Sequence, residues 1–308
     1  MNEDGTVKID DSKCVYRCPF GALSDKSFIL DAIKLLKEEK HVYAIVAPAI
    51  ASQFAYAKLG QVVTGIKQLG FYEVVEAALG ADMVAYAEAK ELAEKGFLTS
   101  SCCPAFVSYV HKQFPMLSEN VSHNMSPMAT IAKFIKGMDN EAKTIFIGPC
   151  TAKKGEAQLP GVREYVDCVM TFEELQAMLD SRDIELTELE ETDLNNASGF
   201  GRSFARCGGL AEAAVEALKE QGIDFEVKPV SCSGIEECRL ALLKASKGRA
   251  EGNFIEGMAC IGGCINGAGC LTHGERNKNK IDAHSRQAKD KTIVESLHGA
   301  ETGLEAAK

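Results

Sequence analysis

The chain of 308 residues has no tryptophan, an absence that identifies no substrate by itself. It also lacks basic excess: its formal net charge is −10, which argues against a nucleic-acid partner. No apolar run is long enough to span a bilayer, since the longest, VYAIVAPAIA at residues 42–51, is about half the length required. Nor does an N-terminal signal peptide appear. These absences predict a cytoplasmic protein, whose cysteines stay reduced and available to metals. The six histidines lie apart, without paired metal-ligand spacing, so His41, His111, His123, His273, His284 and His298 read as surface or satisfied core positions. No internal repeat, linker, or PAS-like or kinase segment is visible.

What is present is a core large enough for about two domain-sized lobes, with 46% hydrophobic residues, and twelve cysteines. A chain of this length needs no disulfide staples, so the cysteines require another reason. The densest stretch is EGMACIGGCINGAGC at residues 256–270, where Cys260, Cys264 and Cys270 sit among five glycines. A backbone so free of side chains can approach a bulky inorganic group, and the spacing suits thiolate ligation of iron and sulfur. The remaining ligands must come from elsewhere. Near the N-terminus, Cys14, Cys18 and Pro19 read as the end of a bacterial ferredoxin motif. Its upstream cysteines are missing, since Asp11 and Lys8 occupy the positions counted back by threes. Residues 1–26 therefore read as a truncated ferredoxin-like remnant, and no additional N-terminal [4Fe-4S] cluster is expected.

From Ser27 the pattern alternates. FILDAIKLLKEEK, GQVVTGIKQLG, MVAYAEAKELAEKG and TIAKFIKGMDN have helical periodicity, while HVYAIVAPA, FYEVVEA, FLTSS and KTIFIG read as strands. Further on, DCVMTFEELQAMLDS predicts a strand and a helix with a Thr171 to Glu174 capping box. SFARCGGLAEAAVEALKEQG reads as a helix entered through Gly208 and Gly209, followed by strands DFEVKPVSC and NFIEGMA, and the tail turns helical through DKTIVESLHG. The fold class is α/β: two mostly parallel-sheet lobes, approximately 27–145 and 146–308, with helices on both faces and a metal cluster in the cleft between them. Ligands of such sheets bind beyond the carboxyl ends of strands. Three cysteine loops occupy that position: LTSSCCPAF, IFIGPCTAKKGEA and the 256–270 stretch.

Together TSSCCPAF, GPCTAKKGE and EGMACIGGC resemble, in the same order, the three signature segments of the catalytic domain of [FeFe]-hydrogenases. The likeness runs from about residue 27 to residue 270. It implies an H-cluster, a [4Fe-4S] cubane joined through a cysteine to a diiron subsite with carbonyl, cyanide and azadithiolate ligands. Carried over residue by residue, Cys103, Cys150, Cys260 and Cys264 would hold the cubane, Cys264 also bridging to the diiron unit. Cys102 matches the proton-delivering thiol and Lys153 the lysine that bonds a cyanide. Ala47, Pro48, Ala49, Pro127, Phe204 and Met258 would form the dry pocket wall. Glu88, Ser122 and Glu91 match a proton relay, although Glu91 and Lys95 are also an ordinary surface pair.

The implied activity is reversible interconversion of protons plus electrons with H2. Its partners would be an external donor or acceptor such as ferredoxin and the diiron maturation proteins, with no nucleic acid and no membrane. Two features depart from the common pattern. Gly148 replaces a methionine, a loss expected to widen the space near the bridging ligand, and Phe106 replaces a tryptophan. The departures resemble divergent, sensory branches of the family. A slow H2 or redox sensor with the same cluster is therefore one alternative, and an iron-sulfur assembly protein lacking the diiron unit another. Relatives of the latter kind typically lose the first cysteine of the pair and the lysine, whereas this chain keeps Cys102 and Lys153. Cys168, Cys207, Cys232, Cys238 and Cys270 match no family ligand and read mostly as buried packing.

Overall fold

The computed structural model describes residues 25–306; Cys14, Cys18 and nearly all of the expected ferredoxin-like remnant lie outside the described residues. Among the described residues, seven strands form two parallel sheets. In chain order they are β1 (Val42–Val46), β2 (Glu73–Glu76), β3 (Leu98–Thr99), β4 (Lys143–Gly148), β5 (Cys168–Thr171), β6 (Pro229–Ser233) and β7 (Phe254–Met258). The first sheet runs β2-β1-β4-β5 and the second β3-β7-β6, every pairing parallel. β5 and β7 are buried at every position and β4 at all but its first, so both of their faces are covered, as parallel sheets require.

Helix Pro127–Met138 packs on β1 and β4, Phe172–Asp180 on β4 and β5, and Ile29–Glu38 on β5. Around the second sheet, Gly209–Glu220 packs on β7 and Ile235–Ala245 on β6 and β7. The longest helix in the core, Ala77–Lys95, joins the halves by packing against both Pro127–Met138 and Gly209–Glu220. Its first turns are buried all round, which fits their small, nearly uniform composition AALGA. At Gly80 a Cβ would sit 2.9 Å from the Ile131 side chain and overlap the Pro127 carbonyl, so only glycine lets these helices meet so closely.

The Thr171 capping box forms as its spacing predicts: Glu174 N donates to Thr171 Oγ1 at 3.1 Å, and Thr171 N to Glu174 Oε2 at 2.8 Å. Two expectations need correction, and one helix was not read from the sequence. The sheets interleave along the chain, so a boundary near residue 145 does not separate them: β4 and β5 belong with β1 and β2, while β3 joins β6 and β7. The strand expected over DFEVKPVSC starts only at Pro229, on an exposed edge with β7 as its single neighbour. Helix Ile235–Ala245 was hidden by its composition, since only Cys238 and Leu242 are buried and the apolar stripe is correspondingly thin.

Candidate metal centre

In the first sheet the chain leaves β1 toward β2 on one side, and β4 lies on the other, which makes the β1/β4 crevice a topological switch point. Beyond β1 come Ala47, Pro48 and Ala49, and beyond β4 come Pro149 and Cys150. The adjacent ends of β3 and β7 deliver Cys102 and Cys103 and the Cys260–Cys264 loop. These strand ends line a cavity of about 80 Å³. Cys102, Cys103, Cys150, Lys153 and Cys264 all line it.

The thiols of Cys103, Cys150, Cys260 and Cys264 form one electrostatic group, each within reach of the charge of others in the set. Among the described residues, no three Cys, His, Asp or Glu side chains converge on a point that would hold a single metal ion. A ring of thiolates around a body several Å wide is arranged differently, because each sulfur binds its own corner iron. Burial pushes the Cys150 thiol up to about 12 and that of Cys264 well above its ordinary range. Four thiolates in such a place need strongly cationic iron to stay deprotonated. Three helical segments begin at this cavity with proline in their first turn, Pro48, Pro104 and Pro127, and all three prolines line it. Proline at that position leaves no N–H to satisfy, so the wall stays dry; at the two longer helices, which start at Pro104 and Pro127, the positive helix end is retained. The donor set, dry wall and positive ends fit an anionic iron-sulfur cofactor.

Lys153 is only 8% exposed and reaches the cavity from the short Ala152–Glu156 helix. Its Nζ donates to Glu156 Oε2 at 2.6 Å and to the Cys102 carbonyl at 3.3 Å. Burial alone would lower its pKa, but Glu156 outweighs burial and holds the ammonium charged. Two of its three donors are thereby accounted for. Ala47, Pro48, Ala49, Pro127, Phe204 and Met258 all lie on the cavity wall. Gly148 requires a correction, because the space does not widen there: a Cβ at this position would meet the Phe146 ring at 2.5 Å and Ala47 at 3.2 Å. Phe146 fills the room that a larger residue 148 would take. Phe106, fully buried, lies flat over Gly257 of β7.

Glu88 is 1% exposed, accepts a bond from Ser101 N at 3.4 Å, and keeps Oε2 without a hydrogen-bond partner among the described residues. Burial pushes its carboxyl up to about 8, against lowering by Ser122 and the Ser101 amide. Ser122 Oγ donates to Glu91 Oε2 at 2.9 Å. Glu91 accepts from Lys95 Nζ at 2.7 Å and from Asn124 Nδ2 at 2.9 Å, beside a surface pocket. Burial would raise its carboxyl, but Lys95, His123 N and Ser122 outweigh burial and lower it. Glu91 is thus both a partner of Lys95 and a neighbour of Ser122. Cys102 feels the charge of Glu88, and burial raises the Cys102 thiol well above its usual value.

Four of the five remaining cysteines in the described residues behave as packing groups: Cys168, Cys232, Cys238 and Cys270 are buried and donate to backbone carbonyls, whereas Cys207, also expected to be buried, is half-buried. Cys270 Sγ points at the carbonyls of Cys264 and Ile265, 3.6 and 3.5 Å away. Sequence reasoning missed Glu156, although its i,i+3 spacing from Lys153 was a usable signal. It also missed Glu256, fully buried in β7, and the buried ion pair of Arg202 with Glu76 at 2.8 Å. Glu76 lies 126 residues from Arg202, and the donors to Glu256 lie 25 to 48 residues from it, beyond any local pattern.

Fold and site together define an α/β protein with a cysteine-ringed, apolar cavity at the strand ends of two parallel sheets. Residues 40–268 match the family described as iron only hydrogenase large subunit, C-terminal domain, and the chain belongs to that family. Iron hydrogenase 1 of Clostridium pasteurianum is 30% identical over 323 residues, covering 86% of this chain and 56% of the relative. The NADP-reducing hydrogenase subunit HndD of Solidesulfovibrio fructosivorans is 25% identical and covers 89% of this chain and 57% of its own length. The chain thus spans little more than half of these two relatives. A cytosolic Fe-S cluster assembly factor of Xenopus tropicalis is 24% identical over 233 residues, covering 60% of this chain and 49% of the relative. Among solved structures, an apo [FeFe]-hydrogenase of Chlamydomonas reinhardtii superposes with a TM-score of 0.70 at 22% identity, covering 86% of this chain and 90% of that one. No helix of the described residues is long and apolar enough to cross a membrane.

Proposed function

We propose that the chain is an [FeFe]-hydrogenase that interconverts H2 with protons and electrons at an H-cluster. The observation that carries this reading is the pairing of Cys102 and Lys153 on one wall of the cysteine-ringed cavity, joined through the Cys102 carbonyl. A protein holding a cubane alone has no use for a buried ammonium and a further thiol beside it. Cys103, Cys150, Cys260 and Cys264 would hold the cubane, with Cys264 shared with the diiron unit. When bound, that cofactor supplies the electron transfer and the iron site of H2 chemistry.

The chain's own residues do the rest. Lys153 offers its remaining N–H to an anionic ligand, and Glu156 keeps it charged. Ala47, Pro48, Ala49, Pro127, Phe204 and Met258 exclude water. Cys102 Sγ holds the proton nearest the cavity, and Glu88, with a pKa near operating pH, passes it on. Ser122 and Glu91 continue the route to the surface. Electrons come from an external carrier of the ferredoxin type, and maturation proteins install the diiron unit.

The test is to load the cubane-containing protein with a synthetic diiron complex and record infrared spectra and H2 turnover. Carbonyl and cyanide bands with turnover, lost on Cys102→Ala, are expected. A loaded cubane without those bands would instead indicate the function of the assembly-factor relatives. Bands with only trace turnover would favour a sensor.

A further inference from the structure

Glu256 is a fully buried carboxylate in the central strand of the second sheet, with no role in the chemistry above. Its Oε1 accepts from Gly208 N at 2.9 Å, and its Oε2 from Ala211 N at 3.2 Å and Ser231 Oγ at 3.0 Å. Burial raises its carboxyl on balance, against the lowering by the backbone amides of Ala211 and Gly208 and by Ser231. Gly208, with φ +90°, caps the twelve-residue helix Gly209–Glu220, whose positive end faces the carboxylate. Glu256 therefore ties β7 to the 204–208 turn and to β6.

That turn is what the ligand loop rests on. Cys207 N donates to Gly262 O at 3.1 Å, and Ile265 N to Ala205 O at 3.1 Å. Gly263, at φ +98°, lies so close that a Cβ would sit 2.7 Å from Cys207 N and 2.9 Å from Ala205 O. Backbone meets backbone there with no side chain to absorb a shift. From the other side, Gly262 N donates to Ser233 Oγ of β6 at 2.8 Å. The turn and β6, the two braces of the Cys260–Cys264 loop, are thus both fastened to one carboxylate four residues before Cys260.

We propose that Glu256 is a positioning residue, which fixes the Cys260–Cys264 loop in cluster-binding geometry through the 204–208 turn. The inference rests on the reading that Cys260 and Cys264 bind a cubane. Glu256→Gln is nearly isosteric, but its NH2 must face the backbone N–H of either Gly208 or Ala211, so one bond to the 208–211 segment is lost. The full chain is reconstituted with iron and sulfide only. Iron content, the EPR line shape of the reduced cubane, the rate of iron removal by a chelator and the melting point of the apoprotein are then measured. Wild type should bind about four irons. Glu256→Gln should release iron about tenfold faster and shift the EPR signal, whereas Ser231→Ala, which leaves the turn fastened, should stay within about twofold of wild type.

Wild-type retention and line shape in Glu256→Gln would overturn the proposal, whereas failure of wild type itself to hold a cubane would overturn the cluster reading beneath it. If the variant does not fold, hydrogen exchange in the loaded wild-type protein decides. The amides of Cys207, Gly208 and Ile265 should then open as one unit, and independent opening would overturn the proposal.

Discussion

Glu88 is the residue on which the relay turns. Among the described residues it is the one carboxylate that is both buried beside the Cys102 loop and pushed up by burial to about 8. A carboxyl of that pKa exchanges its proton readily at neutral pH, where an ordinary glutamate would stay ionised. Glu88→Gln keeps the size and the bond from Ser101 N but cannot carry a proton. Once the cofactor is loaded, H2 turnover should fall by 10²-fold or more while the infrared bands stay in place. Retention of more than half the activity would remove Glu88 from the route. Cys102 and Lys153, which line the cavity, and Glu88, Ser122 and Glu91 were all named from the family resemblance. Glu256 and Arg202 were not, because a buried charge announces itself only through partners that the fold brings from far along the chain.

At the scale of elements, β4 shows how one position is read through its neighbour. Strand alternation puts Phe146 and Gly148 on the same face, and the ring lies where a side chain at 148 would begin. From sequence alone Gly148 looked like a missing methionine and a wider pocket; packing shows volume moved by two residues. Gly148→Met should therefore overpack the strand end and destabilise the apoprotein by about 1–3 kcal/mol in urea unfolding. Adding Phe146→Ala should recover much of that loss, a coupling that a double-mutant cycle would measure. Additive effects would show that the two positions do not share one space. The same strand explains the misplaced lobe boundary. Periodicity identifies β4 as a buried strand, but which sheet it joins depends on pairings with β1 and β5, set by residues some 100 and 25 positions away.

For the whole molecule, the question is what holds the two sheets in place around one cavity. The Ala77–Lys95 helix is the shared element, and Asp82, at its buried heart, fastens two other segments to it. Its carboxylate accepts from Ser198 N at 2.8 Å and Ser198 Oγ at 2.6 Å, at the cap of helix Gly199–Ser203, which leads to Phe204 on the cavity wall. It also accepts from Ser296 Oγ at 2.8 Å, on the C-terminal helix. Burial pushes the Asp82 carboxyl up to about 7 despite these donors. A folded-state pKa above the unfolded value means that between about pH 4 and pH 7 the native protein holds a proton that the unfolded chain has released. Stability from this group is complete below that window and declines as pH rises through it, by up to a few kcal/mol at about 1.4 kcal/mol per unit. Glu76 and Glu91, whose carboxyls are lowered, act in the opposite sense. The urea midpoint of the apoprotein should accordingly be lower at pH 8 than at pH 5.5; Glu88, pushed up to about 8, acts in the same sense, so Asp82→Asn should remove part of that difference and Asp82→Asn combined with Glu88→Gln most of it. A slope unchanged in Asp82→Asn would place the pH sensitivity elsewhere and leave Asp82 as a tether that does not titrate on unfolding.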